Sequence, residues 1–178
     1  LVLLSEQTAS SSATISFTSN IDSTYKEYQF HFIDIHPATD NTQFSFNMSV
    51  DSGSNYNVTK TTTAFETFHR EDDGDAGLQY LTDSDLAQST AFQRLSRESG
   101  ADADQSISGL LTIFNPSSTT FVKHFISTMQ SSQQEDASLS YGFAGYGNTT
   151  SSVNAIQFKM SSGNIDAGTI KLYGVKDS

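Results

Sequence analysis

Ser161-Ser162-Gly163-Asn164-Ile165-Asp166-Ala167-Gly168-Thr169-Ile170-Lys171-Leu172-Tyr173-Gly174-Val175-Lys176 is the stretch whose reading decides the fold. It is a turn rich in Gly and Asn feeding a strand from Gly168 to Val175. A chain that gives its last residues to a sheet strand is expected to close a β-sandwich with it.

Period-two alternation recurs upstream of that strand. Ile15 and Phe17 alternate with Thr14, Ser16 and Thr18. Tyr28, Phe30 and Phe32 alternate with Gln29 and His31, and the phase then shifts to Ile33 and Ile35. Such a shift within one strand predicts a bulge, or burial on both faces. Phe44, Phe46, Met48 and Val50 read as a half-buried strand ending at the turn Asp51-Ser52-Gly53-Ser54-Asn55. Tyr56 and Val58 open the next element, which continues through Phe68. Ile107, Gly109, Leu111 and Ile113 lead to the turn Asn115-Pro116-Ser117-Ser118. On the following strand Phe121, Lys123, Phe125, Ser127 and Met129 face one way, and Val122, His124 and Ile126 the other. Leu139, Tyr141 and Phe143, then Val153, Ile156, Phe158 and Met160, complete the series.

The middle is different. Glu71-Asp72-Asp73-Gly74-Asp75 and Asp102-Ala103-Asp104 are acidic loops. Between them, residues 83–95 read either as a short helix capped by Asp83 or Ser84, or as a loop with a short strand near Phe92. The expectation is an all-β fold: an antiparallel β-sandwich, jelly-roll-like, of about eight to ten strands. It forms one domain over residues 1–178, with 70–105 an acidic, loop-rich insertion.

Composition limits the function classes. The 178 residues carry a net charge of -11, which disfavours direct contact with nucleic acid or anionic lipid. Only 16% of residues are charged, while 13 Phe and 7 Tyr supply core material. That pairing describes a folded β protein with a hydroxyl- and amide-rich surface, not a disordered chain. The absence of Cys rules out disulfides and thiolate metal sites. No apolar run is long enough for a membrane-spanning helix, so no membrane insertion is expected.

Candidate sites are few. His31, His36, His69 and His124 lack the close pairing of a zinc site. Asp72, Asp73 and Asp75 offer hard oxygens for Ca²⁺, though such clusters also occur as solvated loop tips. No Gly-x-Ser-x-Gly elbow marks a nucleophile, and no phosphate loop occurs. No catalytic residue and no cofactor is therefore expected. Tyr146 and Asn148, in Gly145-Tyr146-Gly147-Asn148, and Tyr80 are candidates for stacking on a sugar, with capping of the sandwich ends as the plainer role. Leu1, Val2, Leu3 and Leu4 read as a strand that docks on the sheet or contacts a partner.

The ordered set of turn and strand motifs also carries a resemblance. It comprises Ser19-Asn20-Ile21-Asp22-Ser23-Thr24-Tyr25, Phe32-Ile33-Asp34-Ile35-His36-Pro37-Ala38-Thr39-Asp40, Gly53-Ser54-Asn55-Tyr56, Ile107-Ser108-Gly109, Asn115-Pro116-Ser117-Ser118-Thr119, and the pattern at 163–174. In this order they resemble a family of small all-β proteins encoded by tailed bacteriophages, many of them marine. The resemblance implies a structural or adhesive part located in the virion: a tail fibre or receptor-binding module, or alternatively a head fibre or capsid decoration protein. Implied partners are other capsid or tail proteins, further copies of the chain (a trimer in a fibre-like role) and a host surface glycan. It transfers no catalytic residue. Readings from other classes are a polysaccharide depolymerase, which needs two carboxylates facing across a groove, and a cellular carbohydrate-binding module.

Overall fold

A computed structural model describes residues 1–176. Twelve strands form two antiparallel sheets stacked as a sandwich. The large sheet runs, edge to edge, β1 (Val2–Thr8), β12 (Ile165–Val175), β3 (Glu27–Pro37), β8 (Ile107–Phe114), β9 (Lys123–Gln133), β10 (Ala137–Gly147), β5 (Lys60–Arg70) and β6 (Ala76–Tyr80). The small sheet runs β2 (Ile15–Phe17), β11 (Ala155–Met160), β4 (Phe44–Ser49) and β7 (Gln93–Arg94).

The period-two pattern becomes core packing directly. Along β9 the side chains of Lys123, Phe125, Ser127, Met129 and Ser131 turn inward and those between them turn out. Phe158 on β11 is the hub: its ring lies within 6.5 Å of the rings of Phe17, Phe30, Phe32, Phe44 and Phe46, mostly edge to face. Those rings come from both sheets, so one aromatic cluster holds the two layers together.

The C-terminal stretch does what its sequence predicts. β12 sits inside the large sheet between β1 and β3 and buries Ile165, Ile170 and Leu172 completely. The phase shift after Phe32 is a bulge: pairing with β8 slips between Phe32 and Ile35, and Asp34 takes a left-handed φ of 50°. Gly168 faces that bulge at φ 113°, and a Cβ there would stand 2.5 Å from the Asp34 carbonyl oxygen. Only glycine fits.

Residues 83–95 take the second of their two readings, and two other expectations need correction. No helix forms at 83–95; those residues make turns and the short strand β7, because Leu95 must reach the core and Gln93 must pair with Phe46. The element expected to open at Tyr56 opens at Lys60, since the backbone of residues 56–58 is tied to β4 through Asn47 and Met48. β4 is buried along its whole length, not half-buried, because loops close over the face that carries Ser45, Asn47 and Ser49. The 70–105 segment, expected as an acidic, loop-rich insertion within the domain, also supplies sheet strands. It contributes β6 to one sheet and β7 to the other, and Tyr141 Oη donates to the Arg97 carbonyl at 2.6 Å.

Candidate functional site

Five neighbouring strands of the large sheet, β8, β9, β10, β5 and β6, show their outer face to solvent. Residues directly opposite one another in an antiparallel pair share a face, so the register assigns that surface. β5 contributes Thr61, Thr63, Phe65, Thr67 and His69, opposite Tyr146, Ala144, Gly142, Ser140 and Ser138 of β10. β9 adds His124, Ile126, Thr128, Gln130 and Ser132, and β8 adds Ser108, Leu110 and Thr112, with Phe114 at its end. β6 adds Ala76, Leu78 and Tyr80. None of these residues is Asp, Glu, Lys or Arg, in a chain that has 20 acidic and 9 basic residues. Charge stands at its margins: on the β6 side Asp85 meets Tyr80 and Asp73 meets His69, and beyond β8 lie Glu27 on β3 and the Lys171–Glu6 ion pair at 3.2 Å.

Among its many Ser and Thr side chains this face exposes several large apolar ones. Leu78 is 71% exposed, Ile126 53% and Phe65 52%. A ridge crosses it along the row Tyr80, Phe65, Gly142, Thr128, Leu110. The Phe65 ring lies over Gly142, where an added Cβ would stand 2.3 Å from it. A depression of about 530 Å³ lies on one side of the ridge, lined by Thr61, Thr63, Phe114, His124, Ile126, Ala144, Gly145 and Tyr146. A smaller one of about 190 Å³ lies on the other side, at Thr67, His69, Ser138 and Ser140. Small residues at 142, 144 and 145 make the floor low.

Of the sequence-predicted residues, Tyr146 and Tyr80 share this face. Tyr146 stands on the larger depression beside His124, ring centroids 6.3 Å apart. Tyr80 flanks Phe65 and its hydroxyl donates to Asp85 at 2.7 Å, a bond that raises the phenol pKa. Asn148 lies past the end of β10, where its amide donates to Gln88 at 2.8 Å. The structure therefore does not gather the three into one pocket.

The acidic loop is locally satisfied. Asp72 Oδ1 accepts the Gly74 N–H at 2.9 Å, and Asp73 Oδ1 lies 3.0 Å from His69 Nε2. Among the described residues no group of three or more His, Asp or Glu is arranged to hold a metal ion. Leu1, Val2, Leu3 and Leu4 sit at the open edge of the large sheet, with residues 2–4 in β1; Leu4 packs on the core and Leu1 and Leu3 stay exposed.

Two buried lysines complete the picture. Lys60 and Lys123 flank Gly147 in one inward-facing row. Lys60 Nζ donates to Asn47 Oδ1 at 2.5 Å and to the Val58 carbonyl at 2.7 Å. Burial pushes its ammonium down to about 7. Two acceptors match the two N–H bonds of a neutral amine, so the third proton of the charged form is the unsatisfied one. Lys123 Nζ donates to the carbonyls of Phe121 and Thr149, and burial lowers its pKa too.

Sequence reasoning named Tyr146 and Tyr80 on the outer face as site candidates, set His124 and Ile126 opposite the inward series of their strand, and missed Phe65, Leu78, Leu110 and Phe114. The signal was present in β9, where Ile126 falls out of phase with the inward series. No protein-family model, curated protein or solved structure matches the chain. The phage resemblance therefore rests on the turn and strand motifs alone.

Proposed function

We propose that this chain is a non-enzymatic structural or adhesive component of a bacteriophage virion that works by surface contact. The observation that carries the contact reading is the outer face of β8, β9, β10, β5 and β6, whose strands place no charged residue on it and leave Leu78, Phe65, Ile126 and Leu110 uncovered among Ser and Thr. Monomeric soluble proteins rarely leave a broad apolar patch bare, and such patches mark interaction surfaces. The virion setting is supported by the ordered motifs from Ser19 to Gly174. Within it, packing against protein fits the face better than a catalytic groove, because the face offers no facing pair of carboxylates.

The experiment is cryo-electron microscopy of the intact particle. The expected result is density for this sandwich at the tail, at the fibres or on the capsid lattice, which also separates the tail role from the decoration role. A particle that lacks the chain overturns the virion reading. A host glycan is a second reading, favoured by Tyr146 and His124 on the depression. Binding of host lipopolysaccharide oligosaccharide that is lost in Tyr146→Ala would support it.

A further inference from the structure

We infer that the outer face of the large sheet is a self-contact surface, closed by the same face of a second copy of this chain as a two-fold dimer. The inference rests on the reading of that face as a contact surface and names its partner.

Charge selects the occupant. Each copy carries -11, so two copies repel one another over most approaches. The strands β8 to β6 place no Asp, Glu, Lys or Arg on their outer face, where Asp73 and Asp85 reach only the β6 margin, and this is also the face with exposed Leu78, Phe65, Ile126 and Leu110. Like-charged copies can meet there without desolvating an unpaired ion. A basic partner would instead be drawn to the acidic loops. The carbonyl and amide groups within these strands are already spent on sheet pairing, so side-chain burial is what remains to be gained.

Shape supports the same occupant. The ridge at Phe65 and Leu110 stands beside the depression at Ala144, Gly145 and Ile126. A two-fold axis lying in the contact plane carries the ridge of each copy toward the depression of the other. This is the self-complementarity that an isologous contact demands. Five strands roughly 4.8 Å apart, each facing the partner over about eight residues, cover on the order of 600 Å² per copy. Specific interfaces bury about 800 Å² per partner, so the face is close to the size a stable dimer needs. The contact would be a sheet-on-sheet packing with the layers about 10 Å apart. A single face that meets itself closes at two copies, which departs from the trimer expected for a fibre-like role.

The test is the solution mass of the purified chain by sedimentation equilibrium or light scattering. Wild type should run at twice the 19.3 kDa chain mass. Ile126→Asp should weaken the dimer by about a hundredfold or more, since each copy then buries an unpaired carboxylate. Leu78→Lys at the margin should weaken it less. Ile126 and Leu78 are exposed in the single chain, so circular dichroism should be unchanged, and so should the melting temperature at dilutions where wild type and variants are both monomeric. Ser54→Asp, in an exposed turn away from the face, should leave the dimer intact. A wild type that stays monomeric overturns the inference. So does a dimer that survives both substitutions, which would move the contact elsewhere, for example to the β1 edge. Binding of a glycan or another virion protein to a monomeric wild type across Ile126 also overturns it. Neither solution result depends on whether the chain is found in the particle, so this inference and the virion reading can fail separately.

Discussion

The small and large sheets treat their outer faces in opposite ways. Behind β4, the side chains of Ser45, Asn47 and Ser49 are polar, yet they are buried under loops. Asn47 uses its whole amide: Nδ2 donates to the carbonyls of Tyr56 and Thr90, and Oδ1 accepts from Met48 N–H and Lys60 Nζ. On β9 and β5 the outward side chains include Ile126 and Phe65, and nothing covers them. Polarity therefore tracks burial in reverse on these two faces. A polar strand face is stable in the interior when every donor and acceptor is matched. An apolar face left bare is a surface waiting for a partner.

Substitutions can break this contrast, beginning with the core that both sheets share. Phe158→Ala empties the hub of the aromatic cluster and should lower unfolding free energy by about 3–5 kcal/mol in a denaturant titration. Asn47→Leu should cost about 3 kcal/mol, because it strands the Tyr56 and Thr90 carbonyls in a dry site. Finding Asn47→Leu neutral would mean that the loops over β4 are loosely held.

Lys60 sharpens the comparison through pH. Its folded pKa, about 7, lies below the ordinary value of 10.5. Between these two values the unfolded chain binds the extra proton, so stability should rise with pH across that window and level off below it. The slope should approach about 1.4 kcal/mol per pH unit from this one group. Lys60→Met removes the charge and should flatten the profile between pH 7 and 10. A profile unchanged by that substitution would show that Lys60 reaches water.

The outer face of the large sheet should respond least in the single chain. Thr128→Ala, at the centre of the ridge, should change stability by no more than about 0.5 kcal/mol under monomeric conditions. Gly142→Ala displaces only the Phe65 ring, which is half exposed and free to swing away, and should cost under about 1 kcal/mol. If either loses several kcal/mol, the face is part of the folding core and not a contact surface.

The sequence by itself determined the class of the fold and most of its strands, because a strand half-buried against one core writes its burial as period two. The bulge at Asp34 and the turn at Asn115-Pro116 were equally legible, since local backbone chemistry causes both. Tyr146 and Tyr80 could be named as aromatics near turns, but their common face could not. That depends on β10 and β6 both pairing with β5, contacts distant along the chain. β4 was misread, and residues 83–95 were left between two readings, for a related reason. Whether a strand's polar side meets water, and whether a weakly periodic segment coils or extends, depends on which loops pack over it. Local propensity proposes such features, and only the tertiary structure decided them: here by closing loops over the small sheet and leaving the large sheet bare.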